Sequence, residues 1–436
     1  MPVRPAHVSR FLIGVLAGFC LAATAAAQTG PPPSSSSPPL QAVTLEQAVQ
    51  LAFAQNQALR AERLAIQASR ADEITAGLKP NPTISFVAED QPLLHPSDFG
   101  SLDYMNDNSV ATPSISYTFE RGGKRMKRVM VAQDSTHITT QNVQDAERQL
   151  RFQVVQAYVG VLLAESNLQF TQTALQDFTQ VVDINRRRME SGDISEGDYL
   201  KIAIQKLQFQ QDVSSAQVAL TQSRAALRQL MGYETVTDDF KVVGALRYRP
   251  YPVALDALKQ QALTDRPDYQ AAVSGLKLAQ DTETLEYSNR VPDITGELEY
   301  QHNTTVAGFG FGLSMPLPIH DRNQGNIAHA KVAVEQATEA EVAVKIGVLT
   351  DVVSAYAGLK TSDQVASLYE TGYLKQAQQS LDISRYAYEH GATSLLDLLD
   401  AERTYRQTEL DYRQALANAM ISAAQVNYAV GKQVIP

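Results

Sequence analysis

Residues 44–59 read TLEQAVQLAFAQNQAL, and residues 253–269 read VALDALKQQALTDRPDY. At an offset of 210, Leu45 matches Leu255, Ala52 matches Ala262, Pro82 matches Pro292 and Ile84 matches Ile294. Further on the offset is 198 to 199: Ala157-Tyr158 matches Ala355-Tyr356, Glu190-Ser191-Gly192 matches Glu389-His390-Gly391, Asp198 matches Asp397, and Met231-Gly232 matches Val430-Gly431. Gly and Pro punctuate backbone structure more sharply than other residues. An ordered series of matches that includes both is the mark of an internal duplication.

Each half reads as the same succession: a medium helix, two short strands, then two very long helices. The first half places them at about 44–78, 82–90, 112–119, 124–190 and 193–231. The second places them at about 253–289, 292–302, 308–317, 322–389 and 393–430. The units are then 43–232 and 253–436, joined by a linker over 233–252.

Outside the duplication lies a leader. Arg4 and Arg10 precede an apolar run of 13 residues, Phe11–Ala23, and Ala25-Ala26-Ala27 offers a small-x-small cleavage site. The run is too short to span a bilayer, so residues 1–27 read as an export signal. Cleavage there would discard Cys20, the one Cys of the chain; Phe19 stands where a lipoprotein signal needs a small residue. Residues 28–42 are rich in Pro and Ser and read as an extended linker.

The composition narrows the function. The 436 residues carry 47 acids against 37 bases, a formal charge of −10, which excludes a nucleic-acid binder needing a basic footprint. One Cys excludes a disulfide framework or a thiolate metal cluster. A mean hydropathy of −0.21 excludes a polytopic helical membrane protein but not a β-barrel, whose strands need only alternate their faces.

The four strands do alternate. Ile84, Phe86 and Ala88 interleave with Thr83, Ser85 and Glu89; Ile115, Tyr117 and Phe119 with Ser114, Ser116 and Thr118. Ile294, Leu298 and Tyr300 interleave with Thr295, Glu297 and Glu299; Phe309, Phe311, Leu313 and Met315 with Gly310, Gly312 and Ser314. This is the pattern of an outer-membrane strand. Four strands cannot close a barrel, and an open edge cannot sit in lipid. Chains must therefore combine, two giving eight strands or three giving twelve.

The helices are too long for a globule: residues 124–190 would span roughly 100 Å at 1.5 Å per residue. Their apolar stripes, Phe209, Val213, Ala216, Leu220 and Leu227, and Leu168, Leu175, Phe178 and Val182, have the spacing of antiparallel coiled-coil seams. Gly192 and Gly391 read as helix C-caps, with Ser195 and Ser394 as N-caps of the returning helices. The fold class is thus mainly α with membrane β, in tandem-duplicated helical hairpins plus four strands per chain.

This architecture resembles the TolC family of outer-membrane efflux proteins over about residues 43–432. The opening helix, TLEQAVQLAFAQNQALRAERLAIQASRADEITAGLKPNP, is similar to the family's. The junctions Glu120-Arg121-Gly122-Gly123-Lys124-Arg125 and Pro316-Leu317-Pro318-Ile319-His320-Asp321-Arg322-Asn323-Gln324-Gly325-Asn326-Ile327 resemble those of its CzcC-like cation-efflux branch. The resemblance implies a homotrimer with a twelve-stranded barrel in the outer membrane and a twelve-helix tube across the periplasm. It implies a passive channel working with a periplasmic adaptor and an inner-membrane pump of the RND type. It also implies neither an enzyme nor a cofactor. Heavy-metal cations are the expected cargo, with organic compounds or drugs as the alternative. A soluble periplasmic adaptor is a more distant one, since an adaptor has one hairpin flanked by β-sandwich halves.

The resemblance also assigns residues. Asp397 and Asp400, six and nine places after Gly391, match the paired aspartates that line the family's periplasmic mouth, where rings of carboxylates attract cations. The competing reading is that they are ordinary acids of a helix N-terminus. Ser191, Gly192 and Asp193, with His390, Gly391 and Ala392, correspond to the adaptor-docking tips. The family's multidrug prototype has an Arg where this chain has Thr393, so a gate network would draw on Asp198 and Arg385, or on Arg186-Arg187-Arg188. No histidine pair has zinc-ligand spacing within a helix turn; His95 and Met105 fall in an expected external loop, 91–111.

Overall fold

A computed structural model describes residues 40–89, 110–303 and 306–435. The expected export signal with Cys20, most of the 28–42 linker, and the loop carrying His95 and Met105 lie outside the described residues.

Thr44 starts helix α1 (Leu45–Gln55) with a reciprocal cap: its Oγ1 accepts from the Gln47 amide at 3.3 Å, and its own amide donates to Gln47 Oε1 at 3.0 Å. The sequence predicts one helix over 44–78, but Asn56 breaks it. The Asn56 backbone is extended, its Oδ1 accepts from the Leu59 amide to start α2 (Gln57–Ala76), and its Nδ2 donates to the Leu230 carbonyl. The second half breaks at the matching place. Arg266 is extended because Pro267 follows it, separating α5 (Leu255–Asp265) from α6 (Pro267–Asn289). The apolar spacing runs through both breaks, so periodicity does not reveal them.

Between these helices come β2 (Thr83–Glu89), β3 (Val110–Phe119), β5 (Ile294–Asn303) and β6 (Val306–Ser314), which form one antiparallel sheet in the order β2-β3-β5-β6. Its middle ladder joins the two halves of the chain, pairing Ile115 with Leu298 and Phe119 with Ile294. The register puts Ile84, Phe86, Ile115, Leu298, Phe309, Phe311 and Leu313 on one face, all exposed, with Phe309 at 79%. Such an apolar face left bare is a lipid- or partner-facing surface.

The long helices α3 (Lys124–Glu190) and α7 (Gln324–Leu368) leave one end of this sheet, and α4 (Glu196–Met231) and α9 (Leu395–Val430) return along them. A single π-helical turn, Tyr369–Tyr373, links α7 to α8 (Leu374–Glu389). Toward the tips the helices lie in the order α4-α3-α9-α8; toward the sheet, α2 and α6 take the places of the shorter α4 and α9 beside α3 and α7. At mid-height two cores form. Val154, Val161, Leu162 and Leu227 pack with Val49 and Phe240 in one; Val348, Val352, Leu359 and Val426 pack with Leu258 and Ile435 in the other.

The segment 233–252, expected to be a linker, contains β4 (Val236–Val242), which pairs in parallel with β1 (Leu40–Val43). The acidic pair Asp238-Asp239 hides it from a reading of apolar alternation. Only Val236, Phe240 and Val242 face inward. The buried Tyr158 hydroxyl holds this pair to α3, lying 2.7 Å from the Val243 carbonyl and 3.1 Å from that of Val43.

The π turn has a cause in the duplication. Buried residues of α3 correspond to those of α7 at an offset of 198 above it, as with Val154 and Val352, and to those of α8 at 199 below it, as with Val182 and Leu381. The second half therefore holds one extra residue between these pairs, and a widened turn is how a helix absorbs one residue without rotating everything beyond it.

Candidate functional site at the hairpin tips

Both long hairpins turn by the same device. In the first, Gly192 is left-handed (φ +86), its amide donates to the Met189 carbonyl, and the Asp193 amide donates to the Arg188 carbonyl at 2.8 Å. In the second, Gly391 is left-handed (φ +71), with bonds from Gly391 to Tyr388 and from Ala392 to Ala387 at 2.8 Å. This closes both helices with the same pair of backbone bonds and a glycine free of the Cβ penalty. Ser191, Gly192, Asp193, His390, Gly391 and Ala392 are all exposed. The Ser191 hydroxyl donates to Asp193 Oδ2 at 2.8 Å, and His390 Nδ1 donates to the Tyr386 carbonyl at 2.8 Å.

The returning helices begin at the expected serines. Ser195 Oγ accepts from the Asp198 amide, and Ser394 Oγ accepts from the Asp397 amide. Asp397 then reaches back: its Oδ2 accepts from the Ser394 hydroxyl at 2.6 Å, the Thr393 hydroxyl at 2.8 Å and the Ser394 amide at 3.1 Å. These bonds, led by the Ser394 hydroxyl, hold the Asp397 carboxyl below the usual carboxylate range. Asp198 is held low in the same way by Ser195, and then by Lys201 at 3.1 Å. Asp397 is thus a capping residue first. Asp400, one turn along on the same exposed face, has no ion-pair partner among the described residues.

The gate network expected of Asp198 and Arg385 does not form within the chain. Arg385 pairs with Glu402 across the second hairpin at 2.7 Å, while Asp198 stays with Ser195 and Lys201 in the first. Arg186 is engaged by Asp183 one turn earlier. The hairpins are joined by contacts that the sequence does not announce. The Tyr388 hydroxyl donates to Asn185 Oδ1 at 2.9 Å, a pairing 203 residues apart. Phe178 and Phe209 stack at 4.3 Å, Arg406 lies over Phe209 and pairs with Asp212 at 2.9 Å, and Leu395 and Leu399 of α9 close the cluster. The apolar stripe through Phe178 and Phe209 marks a seam, but no sequence signal specifies which polar pairs would flank it.

A second polar surface lies on the sheet face opposite the apolar one. Ser85 and Ser114 share a hydrogen bond at 2.6 Å, Ser114 donates to Glu297 Oε1 at 2.7 Å, and Thr118 and Thr295 bond at 2.9 Å. Glu299 and Glu297 pair with Gly310 and Gly312 of β6. A Cβ at Gly310 would lie 2.7 Å from Glu299 Cγ, so the glycine is the space into which that side chain folds. Among the described residues, no group of three or more His, Cys, Asp or Glu is placed to hold a metal ion.

A duplicated pair of helical hairpins about 100 Å long, capped at one end by a four-stranded sheet with a bare apolar face, is the architecture of an outer-membrane channel protomer. The comparisons with known proteins agree. The family described as outer membrane efflux protein matches residues 48–233 and 258–432, so the chain belongs to that family. The cobalt-zinc-cadmium resistance protein CzcC of Cupriavidus metallidurans is 25% identical over 398 residues, covering 89% of this chain and 90% of the relative. A solved structure of CusC has a TM-score of 0.75 at 18% identity, covering 92% of this chain and 98% of that one. The MtrE outer membrane channel of Neisseria gonorrhoeae, solved in its open state, has a TM-score of 0.73 at 20% identity, with 89% of each chain covered.

Proposed function

We propose that three copies of this chain close into one channel that passively conducts heavy-metal cations outward, in line with an adaptor in the periplasm and an RND-type pump in the inner membrane. The observation that carries the reading is the open sheet: four strands, a bare apolar face, and two outer edges on β2 and β6 with no partner among the described residues. Such edges are untenable in lipid until another chain pairs with them. The outer helices support the same closure. On α4, Leu200, Ile204, Leu207 and Val218 are exposed; on α7, Val342, Ile346 and Val353 are. The helix Gln324–Glu389 contains a window of mean hydropathy 1.5 that is only 22% buried, which fits a face awaiting a neighbouring chain. In this reading residues 1–27 direct export, 43–232 and 253–436 are the two duplicated units, and 233–252 belongs to a belt at mid-height.

The cation cargo rests on the likeness to CzcC, whose name specifies cobalt, zinc and cadmium resistance. Asp400, with Asp397, is the proposed source of selectivity at the mouth, and the two glycine tips are the proposed adaptor-docking positions. Membrane fractionation tests the channel. The protein should resist a carbonate wash and migrate as a trimer until heated. Deletion followed by a sensitivity panel of zinc, cobalt, nickel, copper and organic toxicants tests the cargo. Unchanged metal tolerance with lost tolerance of organic toxicants would transfer the assignment to organic export.

A further inference from the structure

The strand register brings four junctions to one end of the sheet. β2 begins, β3 ends, β5 begins and β6 ends there, since Thr83 pairs with Ser116, Phe119 with Ile294, and Thr295 with Ser314. Every one of these junctions carries a base. They are Lys79 before β2, Arg121 and Arg125 after β3, Arg290 before β5, and Arg322 after β6. Residues 121–128 alone hold Arg121, Lys124, Arg125, Lys127 and Arg128, in a chain whose net charge is −10. The strands between contain no Lys or Arg. Positive charge is therefore gathered at one end of the sheet.

Part of the basic end is structural. Lys124 pairs with Asp293 at 2.8 Å, Arg128 pairs with Glu120, and Lys127 bonds to Ser288 and Thr284. The remainder is not. Lys79, Arg121, Arg125, Arg290 and Arg322 are exposed and form no ion pair among the described residues. Three of them are anchored by one nitrogen to a neutral group. Arg121 Nη1 lies 3.6 Å from the sulfur of Met315, Arg125 Nε donates to the Gly77 carbonyl at 2.5 Å, and Arg322 Nε donates to the Pro318 carbonyl at 3.2 Å. Each keeps further N–H donors for an outside acceptor. Arg121 continues the alternation of Tyr117 and Phe119, and Met315 that of Phe311 and Leu313, so their contact belongs to the apolar face of the sheet. Around them Leu78, Met126, Leu317 and Ile319 are 60–70% exposed. Bare apolar side chains mixed with anchored, unpaired guanidinium groups, directly beyond an apolar strand face, match a bilayer interface in which phosphates lie above acyl chains.

We propose that this collar binds the phosphodiester groups of anionic phospholipids in the leaflet nearest the long helices, and so fixes the depth of the sheet in the membrane. The proposal rests on the reading of the sheet as membrane-spanning. Arg121, Arg125 and Arg322 supply the phosphate contacts, while Leu317 and Ile319 enter the acyl boundary.

The test uses the full protein extracted from membranes, reconstituted into bilayers of phosphatidylcholine with or without phosphatidylglycerol. Lipid retained on the purified assembly is then measured by native mass spectrometry. The wild type should retain phosphatidylglycerol preferentially, with the preference falling as salt rises. Each Arg→Gln change at 121, 125 or 322 should reduce the preference by about fivefold, the effect of one basic residue at an anionic surface. Arg322→Lys, which keeps the charge, should retain most of it. Carbonate resistance of each variant shows separately whether the sheet still inserts. An inserted triple variant with undiminished preference overturns the collar, as does full competition by inorganic phosphate, which would make the site a simple anion site. Loss of insertion in the wild type would instead overturn the membrane reading itself.

Discussion

Asp397 and Asp400 sit one turn apart, yet the bonds around them give them different work. Asp397 closes the start of α9 through Ser394 and Thr393, whereas Asp400 is left to solvent. We expect Asp400→Asn to lower the cation-over-anion selectivity of the reconstituted channel without loosening the tip. Ser394→Ala should cost the helix start about 1 kcal/mol, read as faster hydrogen exchange over residues 390–400. Because the folded Asp397 pKa is depressed, its contribution is present above the unfolded carboxylate value near pH 3.9 and is lost as pH falls through the lower folded value. The tip should therefore fray only in strong acid, and Asp397→Asn should remove that pH dependence. Gly310 belongs to the same scale. Gly310→Val should drive Glu299 from its place and weaken the assembly to heat, and Glu299→Ala should rescue it, a coupling that a double-mutant cycle reads directly. The alternation of Gly310 and Gly312 with Phe309, Phe311 and Leu313 is legible as strand. The occupant of the space at Gly310 is set by a register 11 residues distant in sequence, which no local pattern encodes.

The helical hairpins were the most legible elements, because Glu190-Ser191-Gly192 and Glu389-His390-Gly391 punctuate otherwise unbroken periodicity and the caps fall where the serines are. What stayed hidden was local and polar. Asn56 interrupts α1 and α2 through its own side-chain bonds, and β4 carries two exposed acids in its middle. The π turn was hidden from periodicity yet recorded in the offset between the halves. Deleting Gly372 should convert Tyr369–Tyr373 into ordinary α-helix while leaving Arg385–Glu402 and Tyr388–Asn185 in register, so assembly and export should survive. Deleting Thr173 at the corresponding level of α3, which has no widened turn, should rotate the lower helix by about 100° and abolish the folded hairpin. Heat dissociation of the two deletion proteins side by side distinguishes a bulge that absorbs a residue from one that the packing requires.

At the scale of the whole molecule the chain is unfinished by itself, with apolar edges on α4 and α7 and a sheet that cannot close. Ile204→Asp or Ile346→Asp should leave each chain helical but shift the assembly toward single copies. Burial of one such side chain is worth about 1.5–3 kcal/mol, and a trimer repeats it three times. Mass measured in mild detergent checks this, and a trimer that persists in both variants would move the contact elsewhere. The duplication, the hairpins and the alternating strands were open to a reading of the sequence because each is written in periodicity. The joining of the halves through β3 and β5 was not, since it depends on partners more than 170 residues apart. The one-residue slip that produces the π turn also carries a history. It is present in one half and not in the other, so the gain or loss of that residue came after the ancestral unit was copied. A bulge then let the two descendants part in length while their tips remained interchangeable in form.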